Sequence, residues 1–175
     1  MGEIAQAWSG FGHVRKLRLE SQALMLDGLA LPALRDLELV TRGLTRANLT
    51  SVRAAGLELE RLVLWISEEG VDDCDVELDD LDWILAGGRG VRELGLCGRD
   101  PVAVLSRVLE APILRELRVL DVAGGYLDAT GAAWLHEHAA AFAHLERLIV
   151  PASRELPAPI APNVVADSRF IPVYE

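Results

Sequence analysis

The segment Val14-Arg15-Lys16-Leu17-Arg18-Leu19 alternates apolar and polar positions, and the same pattern returns five more times along the chain. Its copies are Leu34-Arg35-Asp36-Leu37-Glu38-Leu39, Leu59-Glu60-Arg61-Leu62-Val63-Leu64, Val91-Arg92-Glu93-Leu94-Gly95-Leu96, Leu117-Arg118-Val119-Leu120-Asp121-Val122 and Leu145-Glu146-Arg147-Leu148-Ile149-Val150. Each reads apolar-x-x-Leu-x-apolar. Within Leu-x-Leu the period is two, which places both apolar side chains on one side of a short strand. Between these strands the spacing turns helical. Leu78, Leu81 and Leu85 fall at i, i+3 and i+7, and Val104, Leu105, Val108 and Leu109 form a similar stripe. The segment after Leu127 predicts the clearest helix, with Asp128 or Thr130 as N-cap and Ala132, Ala133, Leu135 and the alanines at 139–141 as strong helix formers.

Strand followed by helix, repeated with short connections, predicts an α/β chain with about six parallel strands on one side and helices on the other. The central leucines stand at 17, 37, 62, 94, 120 and 148, with steps of 20, 25, 32, 26 and 28 residues. That period is the one of leucine-rich repeats. No strand–helix pair of this size buries its leucines alone, so neighbouring units must stack into a solenoid. A buried leucine contributes roughly 1.5–3 kcal/mol, which makes the repeated leucines structural. Five gaps between strands span only about 24 Å, a short arc. The repeats occupy residues 1–150. Residues 151–175 carry five of the eight prolines together with Phe170, Ile171, Val173 and Tyr174, and are expected to form a cap or tail.

Residues 127–135, running Leu-Asp-Ala-Thr-Gly-Ala-Ala-Trp-Leu, resemble a ribonuclease-inhibitor-type leucine-rich repeat, in which an acidic cap and Gly-Ala open the convex helix. Leu62-Val63-Leu64-Trp65-Ile66, Leu117-Arg118-Val119-Leu120-Asp121-Val122 and the ending at 169–175 are similar to an uncharacterised family of bacterial leucine-rich-repeat proteins. Members of that family are longer at the N-terminus, and Ile4, Ala5 and Trp8 resemble the helix of a preceding repeat. The resemblance implies a fold and no activity, so it assigns no catalytic residue.

With the leucines inward, the intervening positions line the concave face in rows. The row before each central leucine is Lys16, Asp36, Arg61, Glu93, Val119 and Arg147, whose first four signs alternate as a salt ladder. The next rows are Arg18, Glu38, Val63, Gly95, Asp121, Ile149 and then Glu20, Val40, Trp65, Cys97, Ala123, Pro151. Val63, Trp65, Cys97, Val119, Asp121, Ala123 and Ile149 are therefore the candidate partner-binding residues, an apolar patch around one large aromatic with charge nearby. Two other readings stand beside it: the C-terminal tail covers the patch, or the residues are ordinary exposed apolar side chains.

Charge enters through one stretch. The chain of 175 residues carries 17 bases against 27 acids, a net charge of −10. Nine of the acids lie within residues 68–82 with no base among them, and elsewhere 18 acids face 17 bases. Glu68, Glu69, Asp72, Asp73 and Asp75 are expected to form an acidic rim. Asp79, Asp80 and Asp82 suit the first turn of the following helix, where carboxylates meet the positive end of the dipole. Steering of a basic partner is a second reading. A calcium loop is a third, and it fits poorly. Counted from Asp73, the sixth position is Leu78 where the helix–loop–helix calcium motif has glycine, and the twelfth is Ile84 where it has glutamate.

No basic cluster is present for nucleic acid, no apolar run spans a membrane, and two cysteines form no disulfide framework, which fits the cytoplasm. His136 and His138 lie about 200° apart around a helix and cannot share a metal from one face. Cys74 and Cys97 have no Cys-x-x-Cys context, and no phosphate loop, dinucleotide fingerprint or nucleophile elbow occurs. The sequence thus predicts a non-catalytic, monomeric protein-interaction module with no cofactor and no metal, binding a protein with a basic patch through its concave face. An accessory subunit of an enzyme system (or a site assembled from Cys97, Asp121 and a histidine) and a module stacking through its N-terminal edge are the alternatives.

Overall fold

Five of the strands enter the sheet through the same backbone join. The carbonyl of Arg15 accepts the N–H groups of both Arg35 and Asp36, and Arg35, Glu60, Arg92 and Arg118 each accept two N–H groups from the next strand's start in the same way. The join repeats with the spacing of the central leucines, so every unit is laid on its predecessor in one register. In the computed structural model, residues 8–22, 24–66, 74–156 and 160–168 are described.

The strands are β1 (Lys16–Glu20), β2 (Asp36–Val40), β3 (Arg61–Trp65), β4 (Glu93–Cys97), β5 (Val119–Asp121), β6 (Arg147–Pro151) and β7 (Val164–Asp167). They form one open sheet in chain order, with every neighbouring pair parallel. The central leucines pair directly across the sheet, Leu17 with Leu37, Leu37 with Leu62, Leu62 with Leu94, Leu94 with Leu120 and Leu120 with Leu148. The sequence pattern accounts for six of the strands. The seventh comes from the proline-rich segment, where Val164 pairs with Leu148 and Asp167 with Pro151. Its alternation is too short to stand out from sequence. What places it is Asn163, whose carbonyl accepts the Leu148 N–H while its side-chain amide donates to the carbonyls of Phe142 and Leu145.

Four α-helices lie among the described residues: α1 (Arg46–Ala54), α2 (Asp82–Leu85), α3 (Pro101–Leu109) and α4 (Ala129–His138). Their starts follow from side chains. Thr45 caps α1 by accepting the Asn48 N–H, Asp100 caps α3 with Pro101 in the first turn, and Asp128 caps α4 by accepting the Gly131 N–H. The cap of α4 is thus Asp128, and Thr130 lies inside the helix. The helical stripe of Leu78, Leu81 and Leu85 is split between a 3-10 turn (Leu78–Leu81) and the single turn of α2.

One apolar core fills the space between the helices and the leucine side of the sheet. Leu37, Leu62, Leu94, Leu120 and Leu148 are buried there beside Leu49, Leu85, Leu105 and Leu135 from the helices. Leu17 and Leu19 on the edge strand β1 are only half-buried, because one neighbouring strand covers them where two cover the others. Asn48, a buried polar residue of α1, accepts the Leu26 N–H and donates to the Leu24 carbonyl, which pins the irregular chain before β2 to the helix layer. No described helix is long and apolar enough to cross a membrane.

Candidate functional site

The strand face opposite the helices divides into a charged part and a closed apolar part. On β1 to β4 the row Lys16, Asp36, Arg61, Glu93 stands in direct register. Arg61 is its centre, 2.7 Å from Asp36, 2.9 Å from Glu38 and 3.7 Å from Glu93. Burial works to lower the Arg61 pKa, and the bonds to Asp36 and Glu38 outweigh it, so the guanidinium is held above its ordinary value. Lys16 reaches Asp36 and Arg18 reaches Glu38 from the exposed edge strand.

Further along the same face the expected exposed patch is not found. Val63, Trp65, Cys97, Val119, Asp121 and Ala123 are all buried, Trp65 at 4% exposure, and Ile149 is half-buried. Val40, Val63, Trp65 and Cys97 make a second apolar cluster, separate from the leucine core. Glycines explain part of this closure. Gly95 sits beside Val63 in the sheet, and a Cβ there would lie 2.8 Å from the Val63 side chain, so valine occupies the space above the glycine. Trp65 extends sideways past its neighbour Cys97 until its ring meets Gly124. Outward positions on a strand are therefore not free positions here. The Trp65 indole N–H is buried and makes no hydrogen bond.

The acidic stretch is also more engaged than a bare rim. Glu68, Glu69, Asp72 and Asp73 lie outside the described residues. Asp75 is exposed and accepts the Arg46 N–H at 2.7 Å, at the first residue of α1. Glu77 and Asp80 form a reciprocal capping box around the 3-10 turn, and the Arg46 guanidinium contacts both, Glu77 at 2.6 Å and Asp80 at 2.8 Å. The hydrogen bond from Arg46, with a second from the Glu77 backbone, holds the Asp80 carboxyl below the usual carboxylate range. Arg107 of α3 pairs with Asp82 at 2.6 Å and Asp79 at 3.3 Å. Two arginines from flanking units thus pair with four of the five acids from 75 to 82, a pairing across units that sequence spacing does not reveal.

Cys97 and Asp121, weighed for catalysis together with a histidine, are neighbours on the strand face. The Cys97 thiol faces the Asp121 backbone carbonyl at 3.8 Å, and the Asp121 carboxylate accepts the Ala123 N–H. His138 stacks on Trp134 with ring centroids 4.2 Å apart and bonds to the Trp134 carbonyl. His144 bonds to the Leu114 carbonyl. No described cluster of His, Cys, Asp or Glu has the composition of a metal site.

Comparison with known proteins places this arrangement at the level of fold. The chain is similar to a Bacteroides fragilis protein whose crystal structure came from a structural genomics consortium, with a TM-score of 0.66 and 23% identity. The match covers 79% of this chain and 42% of that one, so the chain spans less than half the length of its structural neighbour. No family model matches the chain, and no curated protein does either.

A feature absent from the sequence reading lies on the helix side. A groove of about 520 Å³ opens between the starts of α3 and α4, lined by Asp100, Asp128, Tyr126 and Trp134 among others. Tyr126 is 80% exposed, the most exposed of the large apolar residues described. Close approach makes the groove. Gly125 packs so tightly on the Arg99 carbonyl that no side chain fits, and a Cβ on Gly131 would lie 3.0 Å from Val102. Asp128 was legible as a helix cap; that Asp100 caps the preceding helix and that the two caps line a common space was not.

Proposed function

We propose that the chain is a non-catalytic protein-interaction module built on a short leucine-rich-repeat solenoid, working in the cytoplasm by surface complementarity to a protein partner. One observation carries this reading: charged side chains from successive units stand in register on the strand face, with Lys16 and Arg18 at its exposed edge (side chains 84% and 58% exposed). Patterned charge of this kind selects a partner and its orientation more than it supplies raw affinity. The buried cluster around Trp65 keeps the middle of the face rigid, so the contact surface is the charged part and the half-buried Ile149, with Trp65 a support. The in-register leucine ladder favours the solenoid, because stacked units need their repeated apolar positions aligned. Cys74 and Cys97 are both buried and form no disulfide, in keeping with a reducing compartment.

The test is affinity capture with the wild type and with Lys16→Glu/Arg18→Glu. Both positions lie at the exposed edge of the sheet, so the melt should stay cooperative, lowered only by the loss of their pairs to Asp36, Glu20 and Glu38. Loss of a co-purifying protein from the variant alone supports the reading. Identical capture by both chains removes the strand face as the contact surface.

A further inference from the structure

The groove between α3 and α4 has a composition that the charged strand face does not explain. Its lining holds two carboxylates, two hydroxyls (Tyr126 and Thr130) and two aromatic rings, and no Lys, Arg or His. Helix N-termini ordinarily attract anions. Here each is already served by its own aspartate: Asp100 Oδ1 accepts the Val102 N–H at 2.9 Å, and Asp128 Oδ1 accepts the Gly131 N–H at 2.7 Å. The second oxygen of each carboxylate makes no hydrogen bond or ion pair among the described residues, and both aspartates are exposed. An anion entering this space would meet two negative charges, whereas a cation would meet two open acceptors.

The aromatic walls narrow the choice of cation. Tyr126 projects with most of its surface in water, an unfavourable place for a ring with no partner. Trp134, half-buried, is stiffened by its stack on His138. A planar guanidinium can lie against an aromatic face while its fork of N–H groups reaches carboxylate oxygens, and its three-methylene stem covers apolar wall. An ammonium has neither the plane nor the fork. Val102 and Leu127, also in the lining, supply apolar surface for the stem.

We propose that this groove receives an arginine side chain from a peptide segment of the partner protein. The inference deepens the interaction-module reading and rests on it: the basic character expected of the partner is read at this groove, whose carboxylates have no ion pair among the described residues, whereas four of the five described acids of the acidic stretch pair with Arg46 or Arg107.

The test titrates the full chain with acetylated, amidated Ala-Ala-Arg-Ala-Ala and with the same peptide carrying citrulline for arginine, which keeps the shape and removes the charge. The backbone amides of Thr130 and Gly131 report binding by NMR. The arginine peptide should shift them saturably and bind at least about tenfold more tightly than the citrulline peptide, as expected for a charge-assisted pair. Asp100→Asn/Asp128→Asn is the informative variant, because asparagine caps a helix about as well as aspartate and the fold is preserved. It should weaken the arginine peptide about tenfold, and Tyr126→Ala should weaken it severalfold. Equal binding of the two peptides overturns the proposal, and so does wild-type affinity in the double asparagine variant. Failure here with partner capture still sensitive to Lys16→Glu/Arg18→Glu would sink the groove alone. Peptide binding with partner capture indifferent to that pair would sink the strand-face reading alone.

Discussion

The ring of Trp65 lies against Gly124, close enough that a Cβ on the glycine would sit 2.8 Å from it. Gly124 also has φ +86°, a conformation that side-chain-bearing residues rarely adopt. The contact joins the end of β3 to the loop after β5, across the intervening strand β4. It ties three units together on the face where the leucine core does not reach.

Trp65→Ala should therefore cost about 3–5 kcal/mol in chemical denaturation, the range for truncating a buried aromatic. Gly124→Ala should cost about 1–3 kcal/mol from overpacking and backbone strain combined. The double variant should lose less than the sum, since the alanine methyl no longer meets a ring. Strict additivity would show that the two residues do not share one contact.

Arg61 is expected to matter more than an exposed ion pair. Its partners Asp36 and Glu38 have side chains only 19% and 17% exposed, and removal of the guanidinium leaves both carboxylates facing each other. Arg61→Met should cost about 2–3 kcal/mol, above the roughly 0–1 kcal/mol of surface pairs. Asp36→Asn/Glu38→Gln added to that variant should recover part of the loss. Urea melts at neutral pH measure both.

The bond between Arg46 and Asp80 makes a pH-dependent contribution. The folded carboxyl is held below its unfolded value, so its stabilisation is fully present above the ordinary aspartate pKa of about 3.9 and is lost as pH falls through the folded value. Wild type should exceed Asp80→Asn in thermal stability at neutral pH. The gap should close in strongly acidic solution, and a gap that stays constant with pH would remove the ion pair as its cause.

Asn163 fastens the last strand. Its amide donates to two carbonyls left open where α4 and the following turn end, Phe142 at 2.9 Å and Leu145 at 3.2 Å. Asn163→Ala should cost about 1–3 kcal/mol, the penalty for stranding buried acceptors. Limited proteolysis should then cut within residues 152–168 earlier than in the wild type, with the leucine core still protected.

Strand existence and register were legible because they depend on a period of two, and a one-residue slip would have turned Leu37, Leu62, Leu94, Leu120 and Leu148 outward together. The charged row from Lys16 to Glu93 followed from the same register without further information. β7 was not legible. Its residues lack the apolar-x-x-Leu-x-apolar signature, and its position depends on side-chain bonds from Asn163 to residues 18 and 21 places earlier.

The sequence by itself determined which side of the sheet each side chain takes, since pleating enforces that locally. Only the tertiary structure decided what lies over those side chains. Trp65 and Cys97 occupy outward positions and are buried all the same, and the reason for Trp65 includes a glycine 59 residues away that leaves room for its ring. The groove holding Asp100 and Asp128 has the same origin. Two capping residues, each dictated by its own helix, come to share one space because Gly125 and Gly131 allow backbone and helix to approach where any side chain would have held them apart.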